Sequence, residues 1–96
     1  MKYITILERI IENLRIYLGL FDLRRLELFL SGYFVCALDN GITIEGANGF
    51  QRFVEDYYNC HDTIDWTEIA LKNSPNGEAA FDVAKELVKT YKLNSN

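Results

Sequence analysis

Apolar residues recur at helical spacing along almost the whole chain. Tyr3, Leu7, Ile10, Leu14 and Tyr17 follow an i, i+4, i+7 rhythm, with Ile6, Ile11 and Leu18 beside them and Glu8, Arg9, Glu12 and Asn13 opposite. That arrangement predicts an amphipathic first helix with one broad buried stripe. Gly19 is placed to end or cap it. Asp22 is a predicted N-cap, its carboxylate accepting from free backbone N–H groups of a second helix. Leu23, Leu26, Phe29, Leu30, Phe34 and Ala37 form that helix's stripe, and between Leu28 and Leu38 only Ser31 and Gly32 are not apolar. A helix so greasy all round is expected to be central, with Cys36 as a small core residue. Gly32, unfavourable in a helix by about 1 kcal/mol relative to Ala, is expected to mark a close helix crossing.

Asp39-Asn40-Gly41 has turn composition. Ile42-Thr43-Ile44 follows as a connector expected to plug the core with its two isoleucines. A third helix is predicted from near Asn48, with Phe50, Phe53, Val54, Tyr57 and Tyr58 at a 3.6-residue period; Asn59–Asp62 ends it. Asp65-Trp66-Thr67-Glu68 has capping-box spacing and opens a short helix with Trp66, Ile69 and Ala70 on one face. Ser74-Pro75 reads as a cap and a first helical position. The last helix is expected to run to about Leu93 on a stripe of Ala80, Ala84, Leu87 and Tyr91, flanked by Phe81 and Val88. Lys85, Lys89 and Lys92 gather toward its C-terminal end, where the helix dipole favours cations. The expected fold is all-α: a single compact domain spanning residues 1–96, an irregular bundle of about five helices with residues 94–96 as a frayed tail.

Composition fits that picture. Ninety-six residues, 49% hydrophobic and 25% charged, make one globular domain that needs no metal or disulfide to fold. Charged residues interrupt the first twenty positions, so no secretory signal is expected, and no apolar run reaches the roughly 20 residues of a membrane span. The expected location is the cytoplasm, with both cysteines reduced.

Charge adds more. The net charge of −4 divides as +1 over residues 1–38, −6 over 39–71 and +1 over 72–96. The middle third holds seven acids, Asp39, Glu45, Glu55, Asp56, Asp62, Asp65 and Glu68, against the single base Arg52. An anionic surface of this kind attracts a cationic one and disfavours direct nucleic-acid binding.

Residues for catalysis are sparse. His61 is the only histidine. It adjoins Cys60 in sequence, and a Cys–His dyad would pair it more readily with Cys36. Cys60, His61 and Asp62 are consecutive and lack the spacing of metal ligands. Glu55 and Asp56 point about 100° apart on a helix, as a solvated face would. Gly46-Ala47-Asn48-Gly49 lacks the lysine and the strand of a phosphate-binding loop. No enzyme, cofactor or metal is expected. Among the aromatics, Phe50, Phe53 and Tyr57 are assigned to the core. Tyr33, Tyr58 and Trp66 are candidates for partial exposure at a binding surface.

Gly49-Phe50-x-x-Phe53-Val54-x-x-Tyr57, Trp66-Thr67-Glu68-Ile69-Ala70 and Glu78-Ala79-Ala80-Phe81-Asp82, with Leu28-Phe29-Leu30-x-Gly32-Tyr33 upstream, resemble small bacterial immunity proteins of polymorphic-toxin and contact-dependent growth-inhibition systems. The likeness spans roughly Leu28 to Leu87 and rests on helix-packing residues, so it transfers no recognition residue. It implies a cytoplasmic inhibitor that covers the active site of a cognate toxin domain, a basic partner such as a nuclease, including ribonuclease A-like ones. The contact residues expected from charge and aromatic placement are Glu55, Asp56, Tyr58, Asp62, Asp65, Trp66 and Glu68. Two alternatives stand beside this: a non-enzymatic adaptor docking another basic protein, and a small enzyme using Glu55, Asp56 or His61, which would need a pocket where they converge.

Overall fold

The computed structural model describes residues 1–18 and 22–94, with the side chains of 1–13 and 22–94. The expected cap at Gly19 and the stripe positions Leu14, Tyr17 and Leu18 fall outside that set. Five helices follow in order: α1 (Tyr3–Leu18), α2 (Leu23–Asp39), α3 (Ala47–Tyr58), α4 (Trp66–Lys72) and α5 (Gly77–Asn94). The domain is all-α, as the periodicity requires, and among the described residues no strand forms. Its radius of gyration is 12.9 Å, against about 12.5 Å for a single domain of this length.

The helix starts have identifiable causes. Asp22 caps α2 by accepting from the Arg24 N–H at 2.9 Å. Asp65 caps α4 by accepting from the Thr67 N–H at 3.2 Å. The predicted cap of α5 is corrected: Ser74 and Pro75 lie in the preceding turn, and the Asn76 side chain accepts from the Ala79 N–H at 2.8 Å. Asn76 takes the role expected of Ser74 because it immediately precedes the helix and its amide oxygen reaches a free donor of the first turn, whereas the Ser74 hydroxyl is buried with no hydrogen-bond partner among the described residues. At Gly77 the two caps meet, since a Cβ there would run into the Asp22 carboxylate.

The hub is α5, which touches each of the other four helices. Its inner face carries Ala80 and Ala84 one turn apart beside Phe81, Leu87 and Val88, all buried. Small side chains let neighbouring backbones approach. The expectation that α2 is central is therefore corrected. It buries Leu23, Leu26, Leu30 and Ala37 against α1, α4 and α5, while Leu28, Val35 and Leu38 stand 75%, 60% and 78% exposed. Cys36 is exposed rather than core. Nothing in the described structure lies within 4 Å of where a Cβ on Gly32 would be, so no close crossing occurs there.

Phe50 is the aromatic junction. Its ring sits edge-on to Trp66 at 5.0 Å and to Tyr91 at 5.3 Å, and tilted to Tyr3 at 6.1 Å, tying α3 to α4, α5 and α1. Burying one such ring stabilises by roughly 1.5–3 kcal/mol relative to leaving it exposed. The α2–α3 connector is held by the N-terminus rather than by two buried isoleucines. The Met1 ammonium donates to the Thr43 carbonyl at 2.9 Å, and Lys2 and Glu45 form an isolated parallel bridge. Ile44 packs against the core, but Ile42 is exposed.

Candidate functional site

The acidic residues of interest lie on the second half of α3, the 59–65 loop and the start of α4. One side chain fixes these pieces together. The Gln51 amide donates to the Ile64 carbonyl at 2.7 Å and accepts from the Trp66 N–H at 2.7 Å. A single half-buried glutamine thus satisfies both a loop carbonyl and the first N–H of α4, pinning the loop to α3. The loop leaves α3 through Asn59 in the left-handed region, a common helix exit for Asn, and the Cys60 N–H returns to the Glu55 carbonyl at 2.9 Å. It approaches α4 through Thr63 at φ 58°, an uncommon conformation for a β-branched residue.

Trp66 lies beneath this loop. Its indole Nε1 donates to the Tyr3 hydroxyl at 2.8 Å, and the residue is only 2% exposed. The expectation that Trp66 offers a partly exposed contact is corrected: a hydrogen-bond partner on α1 lets the whole ring bury. Tyr57, assigned to the core, is 60% exposed, with its ring edge-on to half-buried Tyr58 at 5.0 Å. Phe53, on the same stripe, is half-buried. Burial, then the neighbouring Tyr57, pushes the Tyr58 hydroxyl above its ordinary range.

Glu55 and Asp65 line one cleft of about 400 Å³ that also includes Tyr3, Phe34, Asn48 and Gln51. Asp65 lines a second cleft with Glu27 of α2. The Glu27 carboxyl is raised above the usual range, first by partial burial and then by the carboxylates of Glu68 and Asp65. Glu27 therefore lies close enough to Glu68 and Asp65 to feel their charge. Glu27 joins the site without any signal in its local sequence, because only the packing of α2 on α4 brings it there.

Asp56 and Asp62 belong to the turn that follows α3. Asp56 faces the exposed His61 at 4.0 Å, and Asp62 lies 3.8 Å from the Cys60 sulfur. His61 does not line the cleft that holds Glu55 and Asp65. Cys36 stands on α2 beside Asn40. Asp39 and Glu45 are placed elsewhere, at the end of α2 and beside the N-terminus. The described ion pairs that involve lysine are Glu86–Lys89 and Glu8–Lys92; among the described residues no lysine or arginine pairs with Glu55, Asp56, Asp62, Asp65 or Glu68. Among the described residues, no group of three or more His, Cys, Asp or Glu side chains is placed to hold a metal ion, and no helix is long and apolar enough to cross a membrane.

Compared with known proteins, the chain matches no protein-family model, no curated protein and no solved structure at a significant level.

Proposed function

We propose that this protein is a toxin-neutralising inhibitor of the immunity type, acting in the cytoplasm, whose α3–α4 surface covers the basic cleft of a cognate nuclease domain. The observation that carries the reading is the lack of any lysine or arginine partner, among the described residues, for five carboxylates held on one loop and its two flanking helices. A nuclease cleft is cationic because it holds phosphates, so uncompensated carboxylates complement it. The resemblance to immunity proteins points the same way.

The contact set is Glu55, Asp56, Asp62, Asp65 and Glu68, with Glu27 added and the exposed Tyr57 taking the aromatic role first given to Trp66, beside Tyr58. The charges would steer encounter and select the partner, and the tyrosines would supply packed area. Asp65 also caps α4 and accepts from the Thr67 hydroxyl, so part of its hydrogen-bonding capacity serves the fold. The test is co-purification with the product of an adjacent toxin gene in the native host, followed by nuclease assay of the complex. A stoichiometric, inactive complex supports the reading. Failure to associate, with both proteins folded, overturns it.

A further inference from the structure

The outer face of α2 is a second incomplete surface. Leu28, Val35 and Leu38 are exposed along it, with Ser31 and Gly32 between them. The Ser31 hydroxyl donates back to the Glu27 carbonyl at 3.0 Å, so its proton needs no outside partner. Gly32 weakens the helix and makes no close approach within the described fold. At the centre of an apolar stripe, a glycine lets a second backbone come near.

Beyond the capping carboxylate of Asp22, the terminal charges within α2 are arranged against its own dipole. Its first turn holds no acid but carries exposed Arg24 and Arg25, and its last turn holds no base and ends in exposed Asp39. The macrodipole favours the opposite placement at both ends. An antiparallel copy of the same helix inverts that relation, because its negative end then lies beside the arginines and its positive end beside Asp39.

We propose that the protein self-associates through an antiparallel pairing of α2 with α2 of a second copy, with the two-fold axis near Ser31 and Gly32. Positions summing to 63 or 64 then face each other. Leu28 meets the second copy's Val35, and Arg24 and Arg25 meet its Asp39. The pairing matches apolar with apolar positions and arginine with aspartate, the self-complementarity an isologous contact needs. The helix is about 25 Å long. One such helix pair is short of the roughly 1,000 Å² of a stable interface, so the dimer is expected to be weak. This surface borders the acidic site, since Ser31 lines one cleft with Glu27 and Asp65, but the pairing does not depend on the toxin reading.

Sedimentation velocity from about 10 µM to about 1 mM is the first experiment, and a concentration-dependent monomer–dimer equilibrium is expected. Val35→Asp, with folding checked by circular dichroism, is expected to weaken dimerisation at least about tenfold. Asp39→Lys alone, or Arg24→Glu with Arg25→Glu, is expected to weaken it, and the combined swap to restore it. In a Cys36→Ser/Cys60→Ser background, Ser31→Cys is expected to cross-link with diamide. Leu38→Cys is not, because two such positions lie roughly 20 Å apart along antiparallel axes. A monomer at every concentration overturns the proposal. A dimer indifferent to Val35→Asp, one not restored by the charge swap, or equal cross-linking at both cysteine positions also overturns it.

Discussion

The α3–α4 surface and the outer face of α2 are incomplete in opposite ways. On the first, carboxylates stand without lysine or arginine partners among the described residues; on the second, leucine and valine stand without cover. Their foundations differ as well. The acidic surface rests on a buried layer in which Trp66, Tyr3 and Phe50 touch one another, and Gln51 pins its loop. The α2 face is one side of a helix whose opposite side carries all its buried contacts. Charge acts at a distance, so the first surface suits fast, selective encounter with a different molecule. Apolar area acts only on contact, so the second suits a partner of matching shape.

The largest expected effect falls on the layer beneath the acids. Trp66→Ala is expected to lose about 3–5 kcal/mol in urea unfolding, through the cavity and the lost hydrogen bond. Val35→Asp is expected to change monomer stability by no more than about 0.5 kcal/mol, because its side chain supports nothing below it. A large loss from Val35→Asp would mean that the α2 face is part of the core after all.

Tyr3→Phe isolates the polar link in that layer. It leaves the buried Trp66 N–H without its acceptor and is expected to cost about 1–3 kcal/mol. Burial above all pushes the Tyr3 phenol up to about 12; the hydrogen bond from Trp66 lowers it and Asp65 raises it. The folded value lies above the unfolded value of about 10. The neutral phenol's contribution is therefore full below pH 10 and is lost as pH rises toward 12. Equilibrium unfolding across that window is expected to show a steeper alkaline decline for the wild type than for Tyr3→Phe.

Glu27→Gln is the smallest change and bears on crowding among the acids. The Glu27 carboxyl is raised in the folded protein, so its contribution is present at acid pH and lost as pH climbs through the folded value. The variant is expected to be slightly more stable than the wild type at pH 7, with the advantage vanishing below about pH 4. Equal stability at both pH values would mean that neither its burial nor the carboxylates of Glu68 and Asp65 raise the Glu27 carboxyl.

Much of the architecture was legible in the chain. Helical spacing located all five helices, and Asp22 and Asp65 announced their caps. The position of α2 was not legible, because an apolar run shows that a helix is greasy but not which sides meet neighbours. The alanines of α5 decided that instead, by letting four helices close around it. The burial of Trp66 was not legible, because its partner Tyr3 lies 63 residues away. Asp56, Asp62 and Glu68 were legible as surface acids, since each sits on a polar turn or helix face. Glu27 and Gln51 were not, because their roles arise from tertiary packing.

The most direct measurement is the association rate of this protein with the proposed partner, a cationic toxin nuclease domain, recorded as ionic strength rises. Asp62→Lys with Glu68→Lys is the informative variant, since both side chains are exposed and neither caps a helix. The wild-type rate is expected to fall steeply with salt, and the variant to associate at least about tenfold more slowly at low salt with a flatter dependence. Equal rates and equal salt slopes for the two proteins would contradict the assignment of the α3–α4 surface as the binding face.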